Sequence, residues 1–191
     1  MFVDTHAHLY SEYYDDIEAI INEANFCGVK YIINSGVDNK TNQEVLILSK
    51  TFPCIYGTLG IHPESEGVYE SNDLTFIESH INDERIIAIG EIGLDYHYDG
   101  YDKEKQIMLF TKQLAIAEKY HIPLVIHSRQ ATQDTLDILK QYRVKGVIHS
   151  FSGSYEVAKE YIKLGFKLGI NIELKVLFTH FRVRMRLQKN I

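Results

Sequence analysis

The feature that most constrains this chain is a regular alternation of short apolar runs with segments of helical periodicity. Residues 2–9, 29–35, 55–61, 85–91, 123–127, 146–149 and 166–170 read as strands. Between them lie helical segments. In residues 15–26 the apolar positions Ile17, Ile20, Ile21 and Ala24 fall on one helical face, and Gly28 supplies a stop. Asp38 or Asn39 can cap a second helix through Ser49, and residues 74–81, 103–120, 131–142 and 155–164 continue the pattern. Seven strands separated by six helices imply parallel strands with right-handed crossovers, so the fold class is α/β. Two architectures satisfy this, an open doubly wound sheet and a TIM-like (β/α) barrel. The barrel is expected, because potential ligands stand at the C-terminal ends of several different strands, where barrels build active sites. The Gly-rich phosphate turn of a doubly wound sheet is missing.

With 191 residues the chain can bury a real core, and one domain is expected over residues 1–173. Cys27 and Cys54 have no paired spacing, which argues against a disulfide framework or a four-cysteine zinc site and favours a reducing compartment. The sequence enters its first strand without a signal-peptide pattern, and no apolar run approaches membrane-spanning length. A cytoplasmic location without a membrane partner is therefore expected. The net charge of −6 is uneven: residues 174–191 carry five basic residues and no carboxylate, leaving net −11 over residues 1–173. Such an acidic body does not bind nucleic acid by bulk charge, but it is compatible with a site where metal ions meet a phosphate.

The potential ligands are His6, His8, Glu91, His127 and His149. In F-V-D-T-H-A-H-L, side chains alternate across a strand, so Asp4, His6 and His8 share a face and two imidazoles in register can hold one ion. Glu91 is expected to close an apolar strand, where a carboxylate needs a cation, a salt bridge or a metal. Gly90 and Gly93 beside it suggest close approach of backbone or ligand. His127 and His149 each follow an apolar run in the same manner. Singly, each would read as a core histidine. Together, four histidines and one carboxylate on four strand ends suit zinc, manganese or another first-row divalent ion.

Five motifs, D-T-H-A-H-L, G-I-H-P, I-G-E-I-G-L-D-Y, I-P-L-V-I-H-S-R and H-S-F-S-G, in this order over residues 2–170, closely resemble the TatD family of metal-dependent deoxyribonucleases. The resemblance implies an amidohydrolase-like barrel that holds one or two divalent ions (zinc, magnesium or manganese). It also implies hydrolysis of DNA phosphodiester bonds by metal-activated water, with single strands or 3′ ends as substrate. Carried over, the family pattern makes His6 and His8 ligands of one ion, Glu91 a bridge, and His127 and His149 ligands of the second. His62 would face the substrate phosphate; the residues alone equally allow a histidine held in a turn by Pro63. Asp95 would orient a ligand from behind, or cap a helix. Arg129 and Ser152 would contact substrate, or belong to an ordinary surface and turn. Tyr96 and Tyr98 offer rings for stacking on unpaired bases, or for packing.

The family pattern breaks after G-F-K-L-G-I. Members continue with a further helix, an eighth strand ending in a Thr-Asp-x-Pro-like motif and a last helix, whereas residues 170–191 contain no Asp, Pro or Gly. The family's metal-binding aspartate thus has no counterpart, and Glu173 and His180 are the only nearby substitutes. A barrel incomplete at its C-terminus is expected, since such barrels need about 250 residues. The alternating F-R-V-R-M-R-L of residues 181–187 reads as an atypical basic tail, best explained by a frame change near residue 170 or a truncation. Two other functional readings follow: a related hydrolase acting on a different bond, and a metal-binding remnant without turnover.

Overall fold

A computed structural model describes residues 1–170 of the chain. Its elements are β1 (Phe2–Ala7), α1 (Ile17–Phe26), β2 (Val29–Ser35), α2 (Asn39–Thr51), β3 (Ile55–Leu59), a 3-10 turn (Pro63–Ser65), α3 (Ser71–His80), β4 (Ile86–Asp95), α4 (Lys103–Tyr120), β5 (Leu124–Arg129), α5 (Thr132–Leu139), β6 (Gly146–Ile148), α6 (Tyr155–Lys163) and β7 (Phe166–Leu168). Polar side chains start several helices by accepting an otherwise unpaired N–H: Asp16 from Ala19, Asp38 from Thr41, Asp102 from Lys105 and Ser154 from Val157. Helix α3 begins at Ser71, ahead of the expected residue 74, because the Asp73 carboxylate accepts the Glu70 N–H at 2.9 Å.

All seven strands are parallel, and each pairs with its neighbour in sequence, giving the order β1 to β7 without a reversal. A doubly wound sheet requires a switch in that order, so this connectivity is that of a barrel. The sheet is strongly curled. If it were flat, β1 and β6 would lie about 24 Å apart at the usual strand spacing. Instead His6, on β1, stacks on His149, just past β6, with ring centroids 3.7 Å apart. Among the described residues the sheet has two edges, β1 and β7. The sequence expectations for residues 171–191, including Glu173, His180 and the basic tail, lie outside the described residues.

Strand β4 is buried along nearly its whole length, as a parallel strand must be when helices cover one face and the barrel interior the other. Ile89, Ile92 and Leu94 join Leu109, Phe110 and Leu114 of α4 and Leu124 and Ile126 of β5 in the main core. A smaller cluster, with Ile21, Val29, Ile32 and Ile55, seats α1 against β2 and β3. Among the described residues no helix is long and apolar enough to cross a membrane.

Candidate metal centre

The strand ends differ in detail from the sequence expectation. Strand β1 stops at Ala7, so His8 sits beyond it, and β6 stops at Ile148, one residue before His149. Strands β4 and β5 overrun instead, to Asp95 and Arg129, which places Glu91 and His127 inside strands rather than at their ends. Pairing of β4 with β5 shifts register between Ile89 and Ile92, the kind of irregularity that re-aims a side chain. Gly93 makes the close approach possible. Its φ is +143°, and a Cβ there would run into the His127 carbonyl oxygen.

These displacements still deliver the histidines and Glu91 to one place. His6 Nε2 and His8 Nε2 lie 3.0 Å apart, and 3.1 and 3.5 Å from Glu91 Oε2. The other carboxylate oxygen, Oε1, is 3.1 Å from His127 Nδ1 and 3.9 Å from His149 Nε2. Glu91 thus spans two histidine pairs with one oxygen for each. An ion bound about 2.1 Å from each donor sets neighbouring ligand atoms roughly 3.0–3.4 Å apart, so the His6, His8 and Glu91 atoms fit a single cation. A second convergent group is His62, Glu91 and His127, with ligand atoms within 4.8 Å of one another.

Hydrogen bonds behind the candidate ligands orient them. The Ser35 carbonyl can only accept, so His8 donates Nδ1–H to it at 3.1 Å, which sets the ring with Nε2 toward Glu91 and His6. Tyr10 Oη donates to the same carbonyl and lies 2.9 Å from His8 Nδ1. Ser35 Oγ is 3.3 Å from His6 Nδ1. His127 sits between two carboxylates, because its Nε2 is 2.8 Å from Asp95 Oδ2. Asp95 is held in turn by the His97 N–H at 2.8 Å. Of the two readings of Asp95, contact with a candidate ligand is the one this geometry favours.

Electrostatics follow from burial and partners. Burial pushes the Glu91 carboxyl up, yet the charge of His6 and hydrogen bonds from His127, His6 and His8 outweigh it and hold the group well below the usual carboxylate range. Burial likewise lowers His127, but hydrogen bonds and charge from Glu91 and Asp95 leave it above the ordinary imidazole value. His62 has no such support, and burial pushes it down to about 4. Its Nδ1 accepts the Glu64 N–H at 3.3 Å, so the neutral ring carries its proton on Nε2. Its ring packs edge-on against His127, with centroids 4.5 Å apart. His62 thus caps the turn at Pro63, and its ring stands beside the candidate ligand group.

Arg129 and Ser152 are exposed on the rim of a cavity of about 370 Å³ that reaches down to His127 and His149. The Arg129 guanidinium lies over the Tyr98 ring at 5.2 Å and donates to its hydroxyl at 3.2 Å. Tyr96 is used otherwise, stacking on Tyr101 and donating to Asp134 at 2.8 Å. Sequence reasoning missed Ser35 and Tyr10, since a serine closing an apolar run and a lone tyrosine carry no periodic signal.

The profile of a family described as TatD related DNase matches residues 3–178. The chain belongs to the TatD family. It is 39% identical over 172 residues to YabD, an uncharacterized metal-dependent hydrolase of Bacillus subtilis (strain 168), covering 88% of this chain and 68% of that one. It is 34% identical over 176 residues to Deoxyribonuclease Tat-D of Schizosaccharomyces pombe, covering 82% of this chain and 55% of the yeast protein. The crystal structure of the TatD homologue YjjV of Escherichia coli K12 matches with a TM-score of 0.83 at 32% identity, over 88% of this chain and 67% of that chain. The protein is thus a TatD-family metal-dependent hydrolase by descent, spanning about two thirds of YabD and YjjV and about half of the yeast deoxyribonuclease.

Proposed function

We propose that this TatD-family chain hydrolyses phosphodiester bonds of DNA, acting on single strands from the 3′ end. The observation that carries this reading is Glu91, which offers Oε2 to His6 and His8 and Oε1 to His127 and His149. His6 and His8 would hold one ion, His127 and His149 the other, with Glu91 shared between them. Divalent ions there supply Lewis acidity and bring the pKa of a water toward roughly 7. The chain's own residues do the rest. Neutral His62 donates its Nε2–H to a phosphate oxygen, Asp95 fixes the His127 ring, and Arg129 and Ser152 meet the substrate along the rim. Single-strand preference draws support from Tyr98, about half exposed and braced by Arg129, where an unpaired base has an aromatic face within reach.

The break in the family pattern over residues 170–191, which hold no Asp, favours a second reading, a metal-binding fold without turnover. One experiment separates the two. Purified protein and a Glu91→Ala variant are assayed for bound metal per chain and for magnesium- or manganese-dependent shortening of 5′-labelled single-stranded DNA. The nuclease reading expects chelator-sensitive cleavage that falls at least about a hundredfold in the variant. Metal retained by the wild-type protein without cleavage of single- or double-stranded DNA would overturn the nuclease reading, and absence of turnover on small ester and amide substrates as well would establish the second.

A further inference from the structure

Four buried side-chain amides each grip one backbone residue with both of their polar groups. Asn34 accepts the Leu9 N–H at 2.7 Å and donates to the Leu9 carbonyl at 3.2 Å. Asn42 holds Gly60 in the same way, at 3.0 and 2.9 Å. Gln113 holds Ile61 at 2.8 and 3.0 Å, and Gln106 holds Asp95 at 2.8 and 2.9 Å. All four amide side chains belong to residues with 1% exposure or less.

The gripped residues are the ones beside the metal centre. Leu9 follows His8, Gly60 and Ile61 precede His62, and Asp95 bonds His127. Among the described residues, these are the only two-handed amide grips on backbone, and none falls at the opposite end of the sheet. At the mouth, strands diverge and their last residues lose ladder partners, while burial still demands a partner for each N–H and C=O. A side-chain amide is the one uncharged group that presents a donor and an acceptor side by side, as a neighbouring strand does.

Two of the grips share an element. Gln106 and Gln113 are seven residues apart on α4, hence two turns apart on one face and about 10.5 Å along the axis. Helix α4 therefore bridges the segment that carries His62 and the residue that holds His127. We propose that Gln106 and Gln113 are positioning residues: α4 acts as a rigid spacer that fixes the distance between the His62 donor and the His127 ring. The activity consequences rest on the phosphodiesterase reading, whereas the metal and exchange consequences do not.

The test uses Gln106→Met and Gln113→Met, which keep side-chain length and remove both hydrogen bonds, with Leu114→Ala on the same helix as a control that only loosens packing. Three quantities are read on the full chain: manganese affinity, amide hydrogen exchange at Ile61 and Asp95, and kcat and KM on single-stranded DNA. Gln106→Met is expected to weaken manganese binding and lower kcat about tenfold to a hundredfold, with KM little changed and Asp95 losing exchange protection. Gln113→Met is expected to raise KM about tenfold, with manganese affinity retained and Ile61 losing protection. Leu114→Ala should lower Tm while leaving manganese affinity, KM and protection at both residues as in the wild type. If both glutamine variants behave like Leu114→Ala, losing Tm alone, the positioning role is refuted. If the wild-type chain cleaves no DNA, the phosphodiesterase reading falls, and the manganese and exchange measurements still decide between a spacer and a packing helix.

Discussion

At the scale of single residues, Glu91 shows how an unfavourable placement is made stable. A lone carboxylate in this core would stay protonated, but the surrounding histidines reverse that preference and leave an anion facing a set of nitrogen donors. His62 works in the opposite direction and gives a pH prediction. Its folded value of about 4 lies below the ordinary 6.5, so the unfolded chain takes up a proton that the folded chain refuses. The stability this contributes is fully present above pH 6.5 and is lost as the pH falls from 6.5 to 4, by up to about 3 kcal/mol. His127, raised above the ordinary value, has the other sign: its contribution is fully present below pH 6.5 and fades as pH rises through its folded value. Urea titrations of metal-free protein between pH 4 and 6.5 should show a steep loss of stability that His62→Gln flattens; an unchanged slope would contradict the assignment. Asp95→Asn should weaken manganese binding about tenfold to a hundredfold, because it loosens the grip on the His127 ring, and titration against a competing chelator measures this. The candidate ligands stood out in the sequence because most of them close an apolar run. Their partners Ser35, Tyr10, Gln106 and Gln113 were not, since a polar residue that bonds a distant segment leaves no mark in a one-dimensional pattern.

At the scale of elements, β4 concentrates the requirements of the site. It must be apolar to be buried, irregular at Gly90 and Glu91 to aim the carboxylate, and open at Gly93 to let β5 pass close by. Gly93→Ala should therefore cost about 2–4 kcal/mol, a left-handed φ and a collision with the His127 carbonyl acting together. Chemical denaturation would reveal this, and a loss under about 0.5 kcal/mol would contradict it. Existence and order of all seven strands and six α-helices could be read from periodicity, because each unit is one strand or helix long and is punctuated by caps such as Asp38 and Ser154. Strand ends could not. Whether β4 stops at Glu91 or continues to Asp95 depends on what β5 offers as a partner, and that pairing is tertiary.

At the scale of the whole molecule, the donors come from four different strands or their ends, so an ion that binds them binds only the curled sheet. Metal should stabilise by mass action, about 2.7 kcal/mol at a hundredfold excess over Kd, or roughly 5–10 °C in Tm for a domain of this size. A scan with and without chelator checks it, and the gain should shrink as pH falls and the imidazoles take up protons. The strand order has a kinetic corollary. Among the described residues every sheet pairing joins strands adjacent in sequence, so this part of the fold can grow unit by unit from β1 with little loop-closure entropy at each step. The His6 and His149 stack is the exception, joining a ring near the start of the chain to one that emerges after five more strands. Chains still on the ribosome would pair β1 through β5 before His149 emerges, so the candidate metal centre would close only after most of the described sheet has formed.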